Sequence, residues 1–221
     1  MSNARKEILK AVAGALPRNR PDAAAIAAEA SLLIGNLEEV RPALMQAGVT
    51  DSFLQRVAGS KVGATADRIA SIAVLPQAVA RYLAAKNLPA RIALQPTSEL
   101  LALDWEAAGL SREHTIDDSV AVGIAPWGIA ENGSLVIHSA ADMPILFNFL
   151  PEMHIVAVRA SSIVPHLEDY AEAARRRGDP APRNACLITG ASGTTDIEGN
   201  LVLGAHGPRA LHIVVIEDAT A

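Results

Sequence analysis

The chain has 221 residues, of which 24 are Asp or Glu and 19 are Lys or Arg, so its formal net charge is −5 at pH 7. This acidic balance argues against a nucleic-acid partner, because such binding relies on Lys and Arg to neutralise phosphates. Half of the residues are hydrophobic but only 3% are aromatic, which favours an α/β fold with a core of Ala, Leu, Ile and Val. No apolar run is long enough for a membrane span and the N-terminus lacks a signal-peptide core, so we predict a cytoplasmic protein.

The single cysteine, Cys186, lies in the apolar run Ala185–Ile188. One cysteine cannot form an internal disulfide, and it cannot by itself ligate an iron–sulfur cluster or a zinc ribbon. We therefore predict a cysteine buried in a strand rather than a reactive thiol, and a chain without a cofactor of its own.

Residues 1–60 predict a helical arm or cap. A first helix begins at Ser2 or Asn3 and ends before Pro17. The alanine-rich segment that follows is typical of helix, although glycine and proline interrupt it. Because no chemistry-bearing motif occurs before residue 60, the sequence places the functional part of the chain in residues 61–221.

Residues 61–221 predict an α/β domain. The helix predicted most clearly has Pro165 at its start, acidic side chains in its first turn, three arginines in its last turn and Gly178 directly after it. Alternation of helices and strands indicates an open, largely parallel sheet with helices on both faces. The predicted strands are Arg91–Leu94, Ser119–Ile124, Ser134–His138, His154–Arg159, Ala185–Thr189 and Leu211–Glu217.

The segment Gly190–Thr195 follows a predicted strand. Its sequence indicates that a short helix begins near Thr194. The free N–H groups at such a helix start, together with Gly190 and the hydroxyls of Ser192, Thr194 and Thr195, would hold a phosphate or carboxylate. The alternative is that a threonine only caps the helix, with Glu198 completing a capping box from Thr195. The sequence leaves both open.

The rest of this loop carries further candidate ligands. Asp196, Glu198 and His206 have the chemistry of metal ligands but no recognised metal spacing, so we predict no metal. In the run His206–Arg209, the histidine can move a proton near neutral pH, and beyond Gly207 the arginine can clamp a carboxylate. The alternative is a tight turn with Arg209 on the surface. His154 and His212 lie inside predicted strands and are expected to be structural.

A second loop has the sequence Glu131–Asn132–Gly133. A carboxylate held between two apolar strands can act as acid, base or nucleophile. The alternative is a hairpin turn in which Asn132–Gly133 supplies positive φ and Glu131 faces solvent. We expect both loops at the same edge of a parallel sheet, where α/β folds bind ligands.

Three blocks resemble the lactate-utilisation (LUD) domain family, and they cover about the C-terminal half of the chain: GIAENGSLVI at 128–137, LPEMHIVAV at 150–158 and TGASGTTDIEGNLVLGAHGPRALHIVVIED at 189–218. The resemblance implies a fold of the group that includes CoA transferases, ribose-phosphate isomerase and glucosamine-phosphate deaminase. It also implies a part in oxidising lactate to pyruvate beside partner proteins that carry iron–sulfur clusters. A small carboxylate ligand is compatible with this role.

Two departures from the family pattern bear on the site. Family members commonly have a proline and a basic residue where this chain has Ala191 and Gly193, so an anion site would depend on backbone N–H groups. Asn132 stands where the family more often has threonine, which makes Glu131–Asn132–Gly133 similar to the Glu-Asn-Gly motif of CoA transferases. The alternatives to the lactate role are therefore acyl transfer with Glu131 as nucleophile, and a non-catalytic scaffold for the cluster-bearing partners.

Overall fold

The structure, a computed structural model, describes residues 3–16, 22–35, 41–59, 63–113, 120–178 and 182–217. The chain divides into two compact units, Met1–Pro42 and Ala43–Ala221. The first unit contains helices α1 (Asn3–Ala15) and α2 (Ala23–Gly35). The predicted opening helix is confirmed, whereas its alternative cap Ser2 and the terminating Pro17 lie outside the described residues.

The second unit contains the α/β fold. Its strands form a six-stranded sheet and a separate four-stranded sheet within the described residues, together with a two-stranded hairpin. Its helices are α3 (Val49–Gly59), α4 (Leu75–Ala85), α5 (Ser98–Leu101) and α6 (Leu167–Arg177), and its strands are β1 (Thr65–Ile69), β2 (Arg91–Leu94), β3 (Ser111–Glu113), β4 (Val120–Ala125), β5 (Trp127–Ile129), β6 (Ser134–His138), β7 (Met153–Arg159), β8 (Ile163–Val164), β9 (Ala185–Ile188), β10 (Gly193–Thr195), β11 (Leu201–Leu203) and β12 (Ala210–Ile216).

The larger sheet is parallel throughout, with the strand order β1-β12-β7-β4-β2-β3. Its central strands are nearly continuous runs of Ala, Val and Ile because both of their faces are covered. One face packs against α4 through Leu75, Val79 and Leu83, and the opposite face packs against Phe53 and Val57 of α3. The predicted open parallel α/β fold is confirmed.

The smaller sheet is mixed, with the order β8-β5-β6-β9. Strand β6 runs antiparallel to both β5 and β9. Sequence analysis placed β6 and β9 in the parallel sheet, and this placement was wrong. Short apolar strands have the same residue pattern in either kind of sheet, so the pattern does not reveal strand direction.

The division after Pro42 leaves α3 in the α/β unit, although the predicted arm extends to residue 60. Phe53 and Val57 on this helix are buried in the core of the unit. The boundary at residue 60 stays a prediction. Among the helices of the described ranges, none combines the length and apolarity that crossing a bilayer requires.

Candidate functional site

The loop between β9 and β12 contains a β-hairpin instead of a helix. Strands β10 and β11 pair antiparallel, with Thr194 opposite Val202 and Thr195 opposite Leu201. The predicted helix from Thr194 was therefore wrong, and with it the helix start and capping box that depended on it. Anion binding by the residues of this loop stays a prediction. Local propensity explains the outcome, since β-branched threonine and valine favour strands.

Asp196 organises the turn of this hairpin. Its Oδ1 accepts hydrogen bonds from the backbone N–H groups of Asn200 at 2.7 Å and Glu198 at 3.0 Å. The hydrogen bond from the Asn200 backbone is the main reason why the pKa of Asp196 is lowered. Asp196 thus stabilises the turn. Among the described residues, no group of three or more His, Cys, Asp or Glu side chains is placed to hold a metal ion.

The base of the hairpin is fixed by backbone hydrogen bonds. Ser192 N–H donates to the Pro208 carbonyl at 2.8 Å, and Gly204 N–H donates to the Ser192 carbonyl at 2.9 Å. Arg209 N–H donates to the carbonyl of Glu152, the residue before β7, at 2.9 Å. Because β7 and β12 are parallel and both begin here, the His206–Arg209 run lies at the amino ends of these strands, not at the predicted carboxyl edge.

An open cleft of about 450 Å³ brings several predicted site residues together. His206, Gly207 and Arg209 line it, and so does Glu152, which sequence analysis did not single out. The Arg209 guanidinium lies 3.6 Å from the Glu152 carboxylate, and both side chains are more than half exposed. The remaining lining residues are Phe149, Leu150, Pro151, Leu203, Gly204 and Ala205.

The other predicted anion-binding residues lie outside this lining. Thr194, Thr195 and Glu198 are exposed on the hairpin, and Gly190 is a turn glycine with φ +79°. Ser192 comes nearest the cleft, because a Cβ atom built on Gly207 would lie 3.3 Å from the Ser192 Cβ. The structure therefore separates the predicted set into a cleft group and a hairpin group.

Glu131 lies in the turn between β5 and β6. Its Oε1 accepts a hydrogen bond from the Leu167 backbone N–H at 3.0 Å, and its own N–H donates to the Pro165 carbonyl at 3.0 Å. The Glu131 carboxylate thus caps the amino end of α6, where its negative charge also interacts favourably with the helix dipole. The predicted hairpin turn is confirmed, but the expectations that Glu131 only faces solvent and that Asn132 has positive φ were wrong.

The turn itself obtains its geometry from glycine. Gly133 has φ +72°, whereas Asn132 does not have positive φ and instead accepts a hydrogen bond from Ser134 N–H through Oδ1 at 3.0 Å. The Ser134 hydroxyl lies 2.5 Å from the Thr189 hydroxyl. The Glu131–Asn132–Gly133 loop and the Gly190–Thr195 loop are therefore joined through their neighbouring residues. They meet in the small mixed sheet and not at an edge of the parallel sheet.

A family model for the LUD domain matches residues 62–216, which is more than half of the chain. The chain belongs to the LUD-domain family. Relatives of this LUD-domain protein match over about half of its length. They include the uncharacterized protein YkgG of Escherichia coli (strain K12), 32% identical over 54% of each chain.

Two further relatives are named lactate utilization protein C. The one from Geobacillus thermodenitrificans is 33% identical over 45% of this chain and 43% of its own length. The one from Anoxybacillus flavithermus is 37% identical over 41% of this chain and 40% of its own length. The LUD-domain protein thus spans about half the length of the curated relatives it matches.

The fold has a counterpart among solved structures. A DUF162 family protein from Deinococcus radiodurans superposes with a TM-score of 0.56 at 24% identity, over 79% of this chain and 100% of that one. This likeness supports the α/β fold. Kinship with the CoA-transferase group stays a prediction drawn from the sequence.

Buried polar side chains form a further cluster that sequence analysis did not recognise. His154 and Gln95 are 1% and 3% exposed. The predicted strand positions of His154 and His212 are confirmed, and burial lowers the pKa of each to about 4. Cys186 is only half-buried in β9, where desolvation raises the pKa of its thiol. The raised pKa disfavours a reactive thiolate.

Proposed function

We propose that this LUD-domain protein is a component of a lactate-utilisation system that oxidises lactate to pyruvate, and that its His206–Arg209 cleft binds a small carboxylate. The observation that carries the proposal is the cleft itself, which unites an arginine and a histidine from one of the family-like blocks. The names of the relatives from Geobacillus and Anoxybacillus support the metabolic role.

The cleft has the chemistry to take a carboxylate. A guanidinium binds a carboxylate through two parallel hydrogen bonds. Arg209 is available for this because its contact with Glu152, at 3.6 Å, is longer than a hydrogen bond and is screened by solvent. The exposed His206 also lines the cleft, and its ring nitrogens can hydrogen-bond a carboxylate ligand.

The oxidation itself is assigned to partner proteins that carry iron–sulfur clusters. One cysteine cannot ligate such a cluster by itself, and Cys186 is half-buried within β9. The role proposed for this chain is to bind or position a carboxylate beside those partners.

The hairpin supplies a surface on which a partner can dock. Ile197 at its tip is fully exposed, and the three apolar side chains of β11 are each about half exposed. Contiguous exposed apolar side chains mark interaction sites more often than random surface. This surface also accommodates the scaffold alternative, in which the chain only assembles its partners.

Growth on lactate tests the proposal. A strain that lacks this gene and has no other lactate dehydrogenase is complemented with wild type, Arg209→Ala or Arg183→Ala, the last being a control that removes an exposed arginine outside the cleft. We expect wild type and Arg183→Ala to restore growth and Arg209→Ala to fail at equal protein abundance. Full growth with Arg209→Ala would remove the carboxylate cleft from the proposal, and normal growth without the gene would remove the lactate role.

A further inference from the structure

One face of the parallel sheet carries a small-residue depression with buried polar walls. Ala93, Ala121 and Gly123 form its floor on β2 and β4, and His154 stands beside Ala121 on β7. Gln95 follows β2 and is held there because its Oε1 accepts a hydrogen bond from the Ile124 N–H at 2.8 Å. The Phe147 side chain covers Ala93 and Ala121, and the Gln95 side chain lies over Gly123.

Three polar atoms in this depression have no hydrogen-bond partner among the described residues: Gln95 Nε2, His154 Nδ1 and His154 Nε2. Both side chains are more than nine-tenths buried. The Gln95 amide group and His154 Nε2 flank the same point, since a Cβ atom built on Gly123 would lie 2.7 Å from Gln95 Oε1 and 3.2 Å from His154 Nε2. Leaving one buried polar group unpaired costs about 1–3 kcal/mol, so three together indicate an absent hydrogen-bonding partner.

We propose that Gln95 and His154, above the Gly123 floor, form a buried binding site for a short-chain carboxylic acid. The unpaired atoms match this class. The Gln95 amide donates to one carboxyl oxygen, and His154 Nε2 accepts the acid proton from the other. A buried carboxylate without a cation is costly, so the ligand enters together with one proton, which is shared between the carboxyl group and His154.

Phe147 forms the roof of this site. Its ring packs on Ala93 and Ala121 and meets the His154 ring edge-on, with centroids 6.0 Å apart. It belongs to a single 3-10 turn, Ile145–Asn148. Leu146 and Phe149 on either side are exposed, whereas Phe147 and Asn148 are each 5% exposed. Access therefore requires Phe147 to swing out, which makes it a gate.

The surroundings of His154 give the site a testable pH dependence. Burial is the cause of its lowered pKa, and no ionised neighbour contributes. Its neighbours across the sheet are Ala121 and Leu211, and its roof is Phe147. Since binding of a carboxylate takes up one proton, we expect affinity to fall about tenfold for each pH unit above pH 5.

The test follows the His154 imidazole resonances of the full-length protein by NMR during titration with acetate and L-lactate at pH 5.5, 6.5 and 7.5. The protein carries Arg209→Ala, so that carboxylate binding in the cleft does not contribute and failure of the cleft proposal leaves this experiment unaffected. We expect saturable shifts with the stated pH dependence, and tighter binding in Phe147→Ala.

Variants within the site sharpen the test. Gln95→Glu keeps an oxygen that accepts the hydrogen bond from Ile124 N–H, but it replaces the amide donor with a carboxylate. We expect the affinity of this variant for the ligand to fall more than tenfold. Gln77→Glu makes the same change at an exposed position and should bind as the parent does. Gly123→Ala displaces Gln95 and should also abolish binding.

Three results would overturn the inference: His154 signals that neither ligand moves, equal binding in Gln95→Glu, or affinity that does not change with pH. A crystal structure grown with L-lactate that shows only an ordered water on Gln95 Nε2 would do the same, since a buried water can satisfy such groups.

Discussion

Glu131 is the candidate residue whose surroundings differ most from those that its motif suggests. A nucleophilic carboxylate needs a free oxygen aimed at its substrate, whereas Glu131 Oε1 is bonded to the Leu167 N–H at the start of α6. Glutamine keeps that acceptor and alanine removes it. We expect Glu131→Ala to lose about 1 kcal/mol of unfolding free energy in urea, and Glu131→Gln to lose only a few tenths.

The same pair of variants separates the capping role from acyl transfer. If Glu131 is only a cap, Glu131→Gln supports growth on lactate as wild type does, and incubation with a panel of acyl-CoA thioesters leaves the intact mass of the protein unchanged. A covalent CoA adduct on wild type that is missing from Glu131→Gln would restore the acyl-transfer alternative.

His154 makes stability depend on pH in a defined direction. Burial lowers its pKa from an ordinary 6.5 to about 4, so the unfolded chain binds the proton more readily. Stability is therefore complete above pH 6.5 and falls as the pH drops towards 4, by about 3 kcal/mol for this histidine. Urea unfolding between pH 7.5 and 4.5 measures this loss. We expect a smaller loss in His154→Gln, and an unchanged pH profile would contradict the assignment.

At the scale of elements, the β10–β11 hairpin depends on one carboxylate. Asp196 accepts from the backbone N–H groups of Glu198 and Asn200. We expect Asp196→Ala to raise amide hydrogen exchange within β11 about tenfold, while the unfolding free energy of the α/β unit stays unchanged because the hairpin side chains are exposed. Equal exchange in the two proteins would show that strand pairing alone maintains the turn.

The β5–β6 turn permits a matched glycine experiment. Gly133 and Gly178 have similar φ values, +72° and +69°, but only at Gly133 would a Cβ atom meet backbone, at 2.9 Å from Val57 N. Alanine at either position lowers the unfolding free energy by about 1 kcal/mol, because positive φ is unfavourable for a residue with a Cβ atom. We expect Gly133→Ala to lose about 1–3 kcal/mol more than Gly178→Ala in urea unfolding, because overlap with α3 adds to the strain. Equal losses would show that α3 moves away from the added methyl group without a further loss of unfolding free energy.

Elements whose signals are local were predictable from the sequence. Helix α6 was predicted from its acidic first turn, its three arginines and Gly178, and the structure confirms it. The hairpin was not predicted, because a threonine followed three residues later by Glu198 also fits a helix start. The site was predicted only in part for a similar reason. Glu152 joins the cleft and Gln95 joins the separate depression through contacts between distant parts of the chain, which no local pattern shows.

At the scale of the whole molecule, the cleft lies at the amino ends of β7 and β12, while the Gln95–His154 depression lies within the sheet face. The carboxyl-edge rule predicted neither position, because that rule describes sheets whose ligands enter at a switch in strand order. Four strands of the parallel sheet, β2, β4, β7 and β12, were predicted from the hydrophobic pattern, whereas β1 and β3 were not. In the mixed sheet, β6 and β9 were predicted as strands, but the pattern did not reveal their antiparallel pairing.

The two possible domain boundaries predict different behaviour of truncated chains. The described side chains of α1 and α2 are exposed, so a chain that begins at Ala43 should unfold cooperatively with a free energy within about 1 kcal/mol of the full chain. A chain that begins at residue 61 also loses Phe53 and Val57 from the core. Removing one large buried side chain costs about 3–5 kcal/mol, so we expect this shorter chain to unfold or aggregate. Urea unfolding of both chains decides between the boundaries. Stable folding of the shorter chain would place α3 with the predicted arm, whereas its collapse beside a stable longer chain would make α3 part of the α/β unit.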